Sequence, residues 1–321
     1  MIRQISLDLE ENYNQTLLLK PLFAHHETFH PRFGWLKKGF DWVNQDPEIF
    51  LREDAPVRLG VGKNMVRSIR YWCSAFKLLE DEPETNRNRF TNSSDFGKKL
   101  LNNDGWDEFI EDPASLWLLH WNLLKPTCRA AAWYFIFNEF HQIEFSVDEL
   151  FKALSNYRDL VAPRIADSSL KKDITCILRM YVEQNSKTAV SEDSLDCPFA
   201  ELGLIQTAGD AKHYAFQIGS KTNLPAEIIV SACLEFASTK GKQKTISISS
   251  LTFDPSSPGR AFKLTESALY DAIEQVGRWS NDIYVVDSAG LIQFSFTKDA
   301  KHLADDILDK YYSTRRSGAN L

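Results

Sequence analysis

Between residues 59 and 80 the chain reads LGVGKNMVRSIRYWCSAFKLLE, and from Lys63 onward its apolar residues Val66, Ile69, Cys73 and Phe76 recur at steps of three and four. That period places them on one stripe of a helix, with Leu59 and Leu79 closing the same core. The other face then carries Asn64, Arg67, Arg70 or Tyr71, Ser74 and Lys77. Pro56 allows only a short helix in front, beginning at Asp54 or Pro56 itself. The polar stretch DEPETNRNRFTNSS that follows reads as a loop or wing.

Further along, EDPASLWLLHWNLLKP offers Asp112 as cap, Pro113 at the first helical position and Pro126 as stop. The aromatic run AAWYFIFNEFHQIEF predicts a buried helix, and Ser146 with Glu149 has capping-box spacing before a second one. SSLKKDITCILRMYVEQ and LTESALYDAIEQVGRW have helical period, HYAFQI is strand-like, and DIYVVDSAGLIQFSF reads as two strands around Ser288, Ala289 and Gly290. There is no exact internal repeat, and STRRSGANL is expected to fray. The fold expected is α+β, mainly α with small β-hairpins. Residues 1–125 form an N-terminal winged helix-turn-helix domain with a basic loop, 126–190 a central helical segment, and 191–321 a C-terminal α+β domain that a winged helix would also fit.

The chain has 321 residues, 43% hydrophobic and 25% charged, with a formal net charge of −7. An overall acidic protein is not coated in positive potential, so any nucleic-acid surface must be local. The opening MIRQISLDLEENYNQ lacks the order of a signal peptide, and no run is long and apolar enough to span a bilayer. A cytoplasmic location without membrane contact is the expectation. Five scattered cysteines without a CxxC pair indicate neither a disulfide framework nor a thiolate zinc site.

GVGK invites comparison with a phosphate-binding loop, which needs an early glycine and a hydroxyl after the lysine. Those positions hold Val57 and Asn64, and no strand precedes them. A small-residue turn before an amphipathic helix with basic and amide groups in its first turns is instead the helix-turn-helix arrangement. HETFH at residues 26–30 formally matches the zinc-protease pattern HExxH, but Pro31 biases His30 away from helical angles. A looser site remains, with His25 or His26, Glu27 and His30 acting with a divalent ion or as acid and base on a phosphodiester. The other reading makes them a hydrogen-bonded structural cluster beside Trp35. Arg32, Lys37 and Lys38 fit a phosphate-contacting loop in either case.

The blocks HETFHPRFGWLKKG, DAPVRLGVGKNMVRSIRYW, DGWDEFIEDPASLWLLHW, CPFAELGLI, SPGRAFKL and DSAGLIQF run from about residue 23 to residue 296. Over them the chain resembles the SspB-like family of bacterial DNA phosphorothioation gene clusters. The resemblance implies a DNA-nicking component of an anti-phage system, working beside a cysteine desulfurase and ATPase and ATP pyrophosphatase-like partners. On this reading Asn64, Arg67, Arg70 and Ser74 position DNA, with Lys63, Lys37 and Lys38 near phosphate. His26, Glu27 and His30 form the catalytic group, and Arg32 stabilises charge on the phosphate. The expected cofactor is a divalent magnesium or manganese ion, and a homodimer is allowed. The main alternative is a non-catalytic DNA-binding adaptor or regulator that recruits the sulfur-transfer enzymes, since no dense Asp/Glu cluster for two metals is visible. A transcriptional repressor is the third reading.

Overall fold

The structure is a computed structural model and describes residues 21–81, 90–183, 197–209, 212–288 and 290–318. Helix α1 (Trp35–Gln45) is followed by the short α2 (Ala55–Leu59), α3 (Lys63–Ala75) and a hairpin of β1 (Leu79–Asp81) and β2 (Thr91–Ser93). GVGK is the turn between α2 and α3, where Gly60 closes α2 at φ 65. Only a residue without Cβ takes that angle freely. Val66, Ile69, Cys73 and Phe76 are all buried, as their spacing predicts. Residues 82–89, the middle of the proposed wing, lie outside the described residues.

Helix α4 (Asp95–Leu101) is capped by Ser94, whose hydroxyl accepts from the amide of Gly97. Helix α5 (Pro113–Leu124) is capped by Asp112 and buried on every side, consistent with its run of Leu and Trp. Then come α6 (Ala131–Tyr134), a π turn (Phe135–Glu139), β3 (Glu144–Ser146), α7 (Val147–Val161) and α8 (Asp167–Tyr181). The predicted capping box at Ser146 and Glu149 is present with both of its bonds. A 3-10 turn (Pro198–Leu202) leads to β4 (Ile205–Thr207) and β5 (His213–Phe216). The rest is α9 (Ala226–Thr239), β6 (Thr245–Ser247), α10 (Ile248–Phe253), α11 (Pro258–Phe262), α12 (Glu266–Gly277), β7 (Ile283–Ser288), β8 (Leu291–Phe296) and α13 (Ala300–Gly318).

The two three-stranded antiparallel sheets have the same topology. Their orders are β3-β5-β4 and β6-β8-β7, so in each the first strand pairs with the last. Each first strand runs directly into a helix whose N-cap is the strand's final serine, Ser146 or Ser247. The segments FSVDEL and ISISSL share an apolar residue, that serine, a β-branched residue and a leucine, and both leucines, Leu150 and Leu251, are buried. The repeat is therefore one of strand, cap and core leucine, which a search for identical residues does not register.

One contiguous apolar core runs from Phe23 to Tyr312. Helix α13 clamps its ends together: Trp106 donates to Asp309 at 2.7 Å, Ser115 and Tyr312 share a hydrogen bond at 3.0 Å, and Tyr311 donates to Asp112. Of the expected frayed tail, residues 313–318 continue helix α13 beyond the buried Tyr312, and residues 319–321 lie outside the described residues. Among the described residues no helix is long and apolar enough to cross a membrane.

Candidate functional site

The segment HETFH forms a tight turn between Ala24 and Thr28 rather than a helix. Ala24, Glu27 and Thr28 take positive φ of 58, 50 and 69. Non-glycine residues in that region are strained and persist only where surrounding structure holds them, which is most often at functional sites. The holding group is Asp173 on α8: its Oδ1 accepts from the Ala24 amide at 2.9 Å and bonds His26 Nε2 at 2.8 Å. Burial pushes the Asp173 carboxyl up, against the lowering effect of those bonds. His26 itself is fully buried, stacked on Trp72 at 6.1 Å and edge-on to Trp133 at 5.6 Å. Trp72 Nε1 donates to the carbonyl of Phe29 at 2.9 Å and fixes the far end of the turn.

Held this way, the turn presents His25 and Glu27 to a pocket of about 540 Å³ whose other side is α3. Arg67, Arg70, Tyr71 and Ser74 from α3, Asp81 from β1 and Arg129 before α6 complete its polar lining. Arg67 reaches Glu27 at 3.4 Å, Arg70 reaches Asp81 at 3.1 Å, and both terminal nitrogens of Arg129 lie 3.4 Å from Asp81. Burial would raise the Asp81 carboxyl, but Arg70 and Arg129 outweigh it and hold the group below the usual carboxylate range. Arg129 is anchored through its backbone, where Leu22 donates to the Arg129 carbonyl. The result is a concave site with three guanidinium groups, two carboxylates and an imidazole, in which the guanidinium groups are donors of the kind that pair with anionic oxygens.

The predicted residues divide into four groups. Glu27, Arg67, Arg70 and Ser74 line the pocket, although Ser74 is buried rather than on an open face. Lys63 and Asn64 are exposed at the start of α3. His26 and His30 are buried and do not line the pocket, where His25 takes the place beside Glu27. Tyr71 is buried, and Lys77 turns away to donate to the carbonyls of Asn122 and Lys125, so neither extends the exposed face of α3. The basic loop expected at residues 32–38 is corrected as well. Helix α1 begins at Trp35 and carries Lys37 on its buried side, bonded to Asp41 at 2.7 Å, Glu108 at 3.2 Å and the Leu101 carbonyl. Lys38 donates to the Leu59 carbonyl, and Arg32 lies over Phe29 and Trp35. No local pattern marks Asp173 or Arg129, which lie about 150 and 100 residues from the turn they complete.

Among the described residues no three His, Cys, Asp or Glu side chains converge as a metal site. Magnesium is held by carboxylate oxygens and water. Glu27 and Asp81 are both already engaged by arginine, so the pocket does not fit a preformed magnesium site.

The family model described as "Protein of unknown function (DUF4007)" matches residues 23–312. Two solved structures are similar over the whole fold. One is described as "Magnesium ion-bound SspB crystal structure", with 39% identity, 92% of this chain and 89% of that chain covered, and a TM-score of 0.86. The other, "SspB crystal structure", has the same identity and coverage and a TM-score of 0.85. No curated protein matches. The chain belongs to this family, DUF4007, and is SspB-like.

Proposed function

We propose that this SspB-like chain is a DNA-binding component of a bacterial phosphorothioation and anti-phage system, and that its pocket cleaves one DNA strand. The observation that carries the reading is the convergence of Arg67, Arg70 and Arg129 on His25 and Glu27 around one pocket. An entering phosphodiester competes with Glu27 and Asp81 for the guanidinium groups, and so frees a carboxylate as it binds. Water then attacks phosphorus while the freed Glu27 carboxylate takes its proton, and His25 in its protonated form is the other group. The bond from phosphorus to the leaving sugar oxygen breaks, that oxygen takes a proton from the other group, and the arginines stabilise the added charge. The α2–turn–α3 unit with the β1–β2 hairpin reads as a winged helix-turn-helix, which would bring Lys63 and Asn64 to the duplex beside the pocket. Cytoplasmic DNA, a cysteine desulfurase and the ATP-consuming proteins are the partners this function requires.

A specific observation also favours the adaptor reading: both pocket carboxylates are paired, and His26 and His30 are buried. Nicking of supercoiled plasmid, measured with magnesium, with manganese and with a chelator, separates the two. Nicking by wild type that drops about 100-fold or more in His25→Ala and Glu27→Gln, with DNA affinity kept, supports cleavage. Binding without nicking by wild type makes the protein an adaptor. Retention of both in Arg67→Ala/Arg70→Ala removes the pocket from either role.

A further inference from the structure

The β3–α7–α8–β4–β5 unit has the connectivity in which the helix before the final hairpin is the one laid in the DNA major groove. Here that helix is α8. Its buried side carries Leu170, Ile174, Ile177 and Met180, and its exposed side carries Ser168, Lys171, Lys172, Thr175 and Arg179. At a rise of about 1.5 Å per residue that stripe is roughly 16 Å long, and the groove it would enter is about 12 Å wide. Arg164, exposed in the turn before α8, extends it. The only acid in the first turn of α8, Asp167, is taken by Arg158 at 3.0 Å. Hydroxyls interleaved with cations supply both phosphate contacts and groups able to read base edges.

The sister unit shows that topology alone does not produce such a face. Helix α12, in the equivalent position, exposes Glu266, Asp271 and Glu274. In a protein of net charge −7, one copy of the repeat presents a basic helix and the other an acidic one. The acidic face is repelled by a duplex, and the basic face is matched to it.

We infer that α8 is a second duplex-docking element, separate from the pocket, and that its opposite side ties docking to the pocket through Asp173. One residue of α8, Asp173, holds the strained turn that aims His25 and Glu27, while its neighbours Lys171, Lys172 and Thr175 face outward. A duplex seated on α8 therefore lies against the element that positions the pocket turn. This rests on the reading of DNA as substrate and adds where the duplex lies.

The test is binding of wild type and Lys171→Gln/Lys172→Gln/Arg179→Gln to a fluorescent duplex of about 25 base pairs over a range of salt concentrations. Each lost phosphate contact should make the log–log slope shallower by about 0.9, so the triple variant should lose between two and three units of slope. Nicking by the triple variant at sub-saturating DNA should fall in step with its lost affinity. Lys172→Gln and Arg179→Gln alone, each expected to cost about 0.9 of slope, keep the test decisive if the triple variant does not fold. Unchanged affinity and slope in these variants overturn the inference while leaving the pocket reading standing. Absence of DNA binding by wild type overturns both.

Discussion

Two lysines sit where lysine is costly. Lys77 and Lys263 both take positive φ, 59 and 55, and both point the ammonium at backbone carbonyls. Burial pulls each down to about 7, with Lys125 adding to the effect at Lys77 and Arg260 at Lys263. Lys263 also lies 4.2 Å from the centroid of the Phe216 ring, so its charge is held by one carbonyl and aromatic faces. The sign of the stability effect follows from proton counts. Between pH 7 and the ordinary lysine value of 10.5 the unfolded chain binds a proton that the folded lysine has released, so stability rises with pH across that window. The rise is bounded at about 1.4 kcal/mol per pH unit for each lysine. Denaturation midpoints of wild type should therefore increase between pH 7 and pH 9.5, and those of Lys263→Met should increase less. Equal pH dependence of the two would show that Lys263 is protonated throughout.

At the scale of elements, the pocket depends on how closely α1 packs on α3. Gly39 faces that contact, and a Cβ there would sit 2.6 Å from Cys73 Sγ and 2.8 Å from Ile69 Cγ2. Both neighbours are fully buried and have nowhere to move. Gly39→Ala should cost about 1–3 kcal/mol by overpacking, read as a lower urea midpoint, and Gly39→Ala/Cys73→Ala should recover part of it. A single variant as stable as wild type would mean that the helices separate freely. Helix α3 was legible in the sequence because the three and four residue steps of Val66, Ile69, Cys73 and Phe76 record a face buried by its own neighbours. Lys37 was not, since a basic residue in an aromatic cluster looks the same whether it meets water or Glu108 from a distant segment. His26 and His25 are adjacent in sequence, and only the three left-handed residues of the turn decide which of them faces the pocket. Backbone angles of that kind leave no mark when the residues are not glycine.

For the whole molecule, the contacts that define the site join parts of the chain far apart in sequence, within one core that α13 clasps from its last turns. Local helices such as α5 can form from their own caps and packing. The turn at residues 24–28 cannot, because its strained angles are stabilised by Asp173, 149 residues beyond Ala24. Closing a segment of that length costs roughly 4 kcal/mol of chain entropy, returned only when α8 is already docked. The pocket should accordingly be the last part of the protein to take shape. In refolding with pulsed hydrogen exchange, the amides of α5 should gain protection in an early phase and the amide of Ala24 in the final one. Protection of Ala24 together with α5 would mean that the turn forms without Asp173. If the order holds, a newly made chain has a closed core before it has a formed pocket, and an incompletely folded copy lacks whatever activity the pocket carries.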